Sequence, residues 1–199
     1  MNPSPPPNWL LPRGVNRGLW DYIHDENRAR NYDQSLADAA LFRIDLDFVR
    51  EHCPGPATML DLGCGTGRLL LDLASKGWKG IGVDLSPAML QVARDKAERS
   101  NSKVEFVQGN LADLHFLRDG IADHAACLFS TIGMILGEGV RQDFLRHVFR
   151  VLQPGGRFIV HVHNRWWHLW DRSGRGWLLR RMIHRLRGQT DGLDRVMPS

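Results

Sequence analysis

Cysteine is scarce in this chain: Cys53, Cys64 and Cys127 are the three among 199 residues, and none forms a C-x-x-C pair. An odd set without that spacing argues against a disulfide framework and reads as reduced thiols of a cytoplasmic protein. Long apolar runs are also missing. No eighteen consecutive apolar residues occur, so no segment is read as a membrane span. The opening "MNPSPPPNWLLPRG" has neither a charged n-region nor an apolar h-region, so it is not read as a secretory signal; residues 1–16 are expected to be a disordered Pro-rich lead. Charge of one sign is not in large excess. The net +4 does not by itself demand nucleic acid as a partner.

What is present is an ordinary globular composition, 43% apolar, in a length that suits one domain. From residue 57 onward, short apolar runs alternate with longer amphipathic ones. Strands are expected at "ATMLDL" (57–62), "KGIGVDL" (79–85), "KVEFVQG" (103–109), "DHAACLFS" (123–130) and "RFIVHV" (157–162). Helices are expected at "RLLLDLASKG" (68–77), stopped by Gly77, and at "AMLQVARDKAERS" (88–100), where Ser86 caps and Pro87 opens the first turn. A third, "VRQDFLRHVFRVL" (140–152), places Phe144, Leu145, Val148 and Leu152 on one face before "QPGG" ends it. Such alternation implies an α/β fold, a doubly wound parallel sheet with ligands at the carboxyl ends of its strands.

The stretch "MLDLGCGTGRLL" (59–70) lies at such an end. Two nucleotide-binding patterns are absent from it. Counting from Gly63, the sixth position is Arg68 where a dinucleotide fingerprint has glycine or alanine, and no Lys-Ser or Lys-Thr follows as a phosphate loop requires. The pattern is instead D-x-G-x-G-x-G, with Asp61 ahead of Gly63, Gly65 and Gly67. A carboxylate there repels a pyrophosphate and attracts an ammonium. Asp84, ending the second strand, suits a ribose diol. Amino acid, sulfonium, ribose and adenine together are S-adenosylmethionine (SAM).

From about Ala57 to Asn164 the chain resembles the class I SAM-dependent methyltransferases, on "MLDLGCGTGRLL", "GIGVDLSPAML", "VEFVQGNLADL", "ACLFSTIGMI" and "LQPGGRFIV" in that order. The resemblance implies a Rossmann-like sheet of order 3-2-1-4-5. It implies that Gly63, Cys64 and Gly65 underlie the amino acid part of SAM, with Asp61 at its ammonium. Asp84 would take the ribose hydroxyls, Leu85 and Met89 the adenine face, and Asn110 and the Leu111 backbone the adenine edge. Leu128 and Phe129 would close the methionine end. Cys64 is otherwise read as a small packed residue, since no base is visible beside it.

"RGLWDYIHDENRARNYDQSL" (17–36) resembles the lid of the glycine N-methyltransferase group, where a tryptophan is followed ten residues later by an arginine. Carried over, Trp20 lies against SAM and Arg30 clamps its carboxylate, within a lid taken as residues 17–52. After the fifth strand Asn164 matches that group, but His163 stands near the place of its glycine-binding arginine. The resemblance therefore does not extend to glycine as acceptor, and a small molecule in a closed pocket is expected.

No metal site and no catalytic residue are assigned. His161 and His163, two apart on a strand, are candidates for a base should the acceptor need one. Residues 165–199 are basic: seven arginines face one acid between Arg165 and Arg187, with Trp166, Trp167, Trp170 and Trp177 interleaved. Leu178, Leu179, Met182, Ile183 and Leu186 suggest an amphipathic cover helix; RNA or a membrane surface is the other use of such a segment. The family's C-terminal antiparallel hairpin is expected to be missing, leaving the fifth strand of the core (53–164) an open edge through which the chain could oligomerise. The reading is a SAM-dependent methyltransferase acting on nitrogen or oxygen of a small molecule. The alternatives are a SAM-binding partner protein without turnover and a nucleotide-dependent oxidoreductase, the latter opposed by Asp61 and Arg68.

Overall fold

The computed structural model describes residues 6–36 and 40–164 and, beyond them, Trp170, Arg175, Gly176, Leu179, Arg180, Met182, Ile183 and Leu186. Five parallel strands form one sheet: β1 (Thr58–Leu62), β2 (Lys79–Asp84), β3 (Val104–Gln108), β4 (Ala122–Cys127) and β5 (Leu152–Val160). Their order is β3-β2-β1-β4-β5, as expected from the sequence. The core helices are α4 (Arg68–Ala74), α5 (Pro87–Arg99) and α6 (Glu138–Val151). Ahead of them stand α1 (Arg17–Ile23), α2 (Glu26–Ser35) and α3 (Ala40–His52).

Strand alternation divides the core between the two sheet faces. Leu60 and Leu62 of β1 join Val83, Cys127, Phe144 and Val148 on the α6 side. Met59 joins Val49, Leu69, Leu70 and Leu73 on the side of α3 and α4. Central strands buried on both faces explain the nearly continuous apolar runs.

Three local expectations change. Helix α6 ends at Val151 and buries Phe144, Val148 and Val151, while Leu145 is exposed and Leu152 already belongs to β5. The "QPGG" stretch is an irregularity inside β5: pairing jumps from Ala122–Leu152 to His124–Arg157, and Gly155 carries φ +81°. The Pro-rich lead is tied down from Pro6 onward. Arg17 Nη2 donates to the Pro6 carbonyl, Asn110 Nδ2 donates to the Arg13 carbonyl at 2.8 Å, and Leu136 N–H donates to the Gly14 carbonyl at 2.8 Å.

Most of the basic segment, including Trp166, Trp167, Trp177 and Leu178, lies outside the described residues. Leu179, Met182 and Leu186 are exposed rather than packed on the sheet. Among the described residues no helix is long and apolar enough to cross a membrane.

Candidate functional site

The carboxyl ends of β1, β2 and β4 open into a cavity of about 180 Å³. Eleven of the residues expected at the cofactor line it: Asp61, Gly63, Cys64, Gly65, Asp84, Leu85, Met89, Asn110, Leu111, Leu128 and Phe129. Its floor is the glycine turn. Gly63 N–H and Cys64 N–H both donate to the Val83 carbonyl, at 2.7 and 3.1 Å, which folds the turn back over β2. Gly63 (φ +83°) can carry no side chain because a Cβ would come within 2.3 Å of Thr131 Cγ2. Gly65 (φ +54°) differs: a Cβ there would meet nothing within 4 Å, so its bare backbone fronts open space.

Two carboxylates face that space, Asp61 buried and Asp84 half-buried. Asp84 Oδ2 accepts from Gly65 N–H and Oδ1 from Ser86 N–H, both at 2.8 Å, so it braces the turn and the start of α5 together. Burial raises its carboxyl's pKa above the usual range, and the N–H groups of Ser86, Gly65 and Leu85 pull it back. Asp61 is pushed up to about 7, first by burial and then by the Asp84 charge, with Arg68 opposing. Two acids held this way are costly unless a cation joins them. The neighbouring Cys64 thiol is raised well above its ordinary range by burial and by both aspartates, which makes it a packed residue and not a nucleophile.

The roof comes from the N-terminal helices. Along α1, Leu19, Tyr22 and Ile23 fall on one side and line the cavity. Trp20 falls on the other, tilted against His24 with ring centroids 4.2 Å apart. On α2, Tyr32 lines the cavity while Arg30 points away and pairs with Glu26 at 3.0 Å on the exposed surface. Trp20 and Arg30, expected as the lid contact and the carboxylate clamp, line a separate surface hollow between the lid and α5. The reason is helical phase: a residue two places from Tyr22 on α1, or from Tyr32 on α2, faces roughly the opposite way.

A different guanidinium occupies the site. Arg68 opens α4 and is mostly buried, its Cζ 4.2 Å from the Phe42 ring centre, 5.0 Å from Phe129 and 5.4 Å from Tyr32. Asp33 of α2 latches this corner. It accepts from Thr66 Oγ1 at 2.5 Å and from Lys96 Nζ at 2.6 Å, and lies 3.8 Å from Arg68 Nε. A second tie runs from Ser86 Oγ to the Ile23 carbonyl at 2.6 Å. Arg68 stood in the glycine motif, and Tyr22 lies three residues after Leu19; that helical spacing was the available signal for the roof.

Asn110 lines the cavity with its side chain already engaged, donating to Arg13 O and accepting from Ala112 N–H at 2.9 Å. The turn after β4 is unusual: Phe129 and Ser130 both have positive φ, 51° and 59°, and Ser130 Oγ is buried without a partner.

Residues 59–156 match the family model described as a methyltransferase domain. A dTDP-3-amino-3,6-dideoxy-alpha-D-glucopyranose N,N-dimethyltransferase from Streptomyces fradiae is 31% identical over 149 residues, covering 75% of this chain and 52% of that protein. The chain belongs to the class I SAM-dependent methyltransferases. A demethylmenaquinone methyltransferase from Symbiobacterium thermophilum is 39% identical over 153 residues, 72% of this chain and 57% of that protein. Among solved structures, a SAM-dependent methyltransferase from Clostridium acetobutylicum superposes with a TM-score of 0.62 at 26% identity, over 70% of this chain and 58% of that one. The chain spans about half the length of the curated relatives it matches.

The cosubstrate of this methyltransferase family is SAM, and the cavity fits it on chemical grounds. The bare Gly65 backbone admits close approach, Asp61 and Asp84 call for a cation and hydroxyl donors, and Leu85, Met89 and Leu111 offer an apolar slot.

Proposed function

We propose that this chain binds SAM in the cavity above β1 and β2 and passes its methyl group to a nitrogen or oxygen of a small molecule. The observation that carries the reading is the pair of carboxylates lining the cavity, buried Asp61 and half-buried Asp84, set against a glycine turn with no phosphate-binding feature. When bound, SAM supplies a methyl group on a sulfonium, with a neutral thioether as leaving group.

The chain's own residues then do four things. Asp61 meets the ammonium and Asp84 the ribose hydroxyls. Arg68, resting against the rings of Phe42 and Phe129, is placed to fork onto the carboxylate, in the role the sequence suggested for Arg30. Leu19, Tyr22 and Ile23 roof the cavity and exclude water. Holding acceptor and methyl group in line at the β4 end is a positioning effect that can contribute about 7–11 kcal/mol. The Streptomyces relative, whose name places its methyl groups on an amino sugar, supports a small amine as acceptor.

Calorimetry with SAM and with NAD, followed by label transfer from methyl-labelled SAM into a deproteinised metabolite extract, tests this reading. SAM should bind, NAD should not, and label should enter the small-molecule fraction. SAM binding without transfer would leave a SAM-binding partner protein; NAD binding without SAM would overturn the assignment.

A further inference from the structure

Beside the cavity, past the end of β5, lies a second pair of polar side chains that SAM binding does not use. His161 Nδ1 and Asp45 Oδ2 are 2.8 Å apart. Their side chains are only 18% and 10% exposed, so the contact is enclosed and not a solvated surface pair. Asp45 comes from α3 and His161 from the segment leaving the sheet, 116 residues later. His161 is fixed from its backbone as well, its N–H donating to the Cys127 carbonyl at 3.0 Å. The imidazole stands 6.2 Å from the Phe129 ring, which lines the cavity on the strained turn after β4.

We propose that His161 is the general base for the methyl acceptor and that Asp45 is its positioning residue. This rests on the methyl-transfer reading above. An ionised carboxylate can only accept, so Asp45 holds the proton on Nδ1 and leaves the lone pair on Nε2. That pair takes the proton from an acceptor N–H or O–H. As it does, the acceptor's lone pair forms the bond to the methyl carbon, the carbon–sulfur bond breaks, and its electrons return to sulfur. The imidazolium that results lies against the Asp45 carboxylate.

The other charged or titratable groups recorded near the ring are His163, with ring centroids 6.3 Å away, and Arg68, on Phe129 at 5.0 Å. His163 is exposed. Of the two histidines the sequence offered, the one with an enclosed carboxylate partner is His161. The acceptor class follows: a molecule whose nucleophile carries a proton at neutral pH, such as an ammonium or a hydroxyl.

The test uses the full chain and has two readouts. In the complex with S-adenosylhomocysteine, nitrogen NMR of the imidazole should show His161 protonated on Nδ1 with Nε2 bare. Asp45→Asn should scramble that tautomer. A ring protonated on Nε2 would overturn the inference. Label transfer to the metabolite extract is then followed against pH. His161→Gln should bind SAM as the parent does and lose on the order of 100-fold in transfer. Asp45→Asn should lose less and move the acid limb to lower pH, because the imidazolium has lost its partner. His163→Gln should stay within threefold. Transfer by His161→Gln at the parent rate overturns this inference alone. Absence of transfer by the parent chain, with SAM still bound, overturns the proposed function and this inference with it.

Discussion

The glycine turn and the N-terminal helices build the same cavity by different means. The turn is made from backbone: Gly63 and Cys64 fold onto Val83 and Asp84 ties Gly65 to Ser86, all within one short stretch from β1 to the start of α5. The roof is made from side chains on α1 and α2, held to the core through Asp33 and through the Ser86–Ile23 tie. The turn has one way to be assembled. The roof depends on which face each helix turns inward, and a rotation of about 100° per residue decides which residues reach the cavity.

Five substitutions press on that comparison. Asp84→Ala removes the brace and a cavity-lining acid together. It should weaken SAM by on the order of 100-fold or more, the worth of at least one charge-assisted bond of about 1.5–3 kcal/mol plus the turn it orders; calorimetry reads it. Arg68→Ala should cost about 10- to 100-fold by the same range, while Arg30→Ala should stay within twofold. The reverse ranking would mean that the lid turns its other face inward when SAM binds.

Asp61→Asn should weaken SAM about tenfold at pH 7.5 while stabilising the free protein. The folded carboxyl holds its proton up to about pH 7, and the unfolded one releases it near 3.8, so the parent loses stability as pH rises between those values. The gain on substitution should be on the order of 2 kcal/mol above pH 7 and fade toward pH 4 in denaturant titrations. Asp33→Ala, which unlatches α2 from Thr66 and Lys96, should have the smallest effect, about threefold in SAM affinity, with faster hydrogen exchange in α2 as its signature.

This contrast also explains what could be read from the chain beforehand. Strand order, the glycine turn and eleven cavity residues were legible because each lay in a short unit whose geometry is dictated locally: an apolar strand, a turn that tolerates only glycine, a helix capped by Ser86. Trp20 and Arg30 were placed by analogy of spacing, yet spacing along a helix does not fix its rotation. Leu19, Tyr22 and Ile23 mark the stripe that faces the cavity and would have fixed it. Asp45 was not legible at all, since its partner His161 is 116 residues away. The irregular start of β5 was hidden for another reason: Pro154, Gly155 and Gly156 read as a break, whereas the sheet absorbs them as an irregularity opposite Asp123.

The central claim is that Asp61 and Asp84 select a cationic nucleoside in place of a phosphate-bearing one. Titration of the full chain with SAM by calorimetry at pH 5.5 and at pH 7.5 tests it most directly. Because Asp61 must give up its proton to hold the cation, affinity should tighten about tenfold across that interval, with proton release seen as a binding enthalpy that changes with the buffer's ionisation heat. An affinity that does not change between the two, with no proton released, would contradict it.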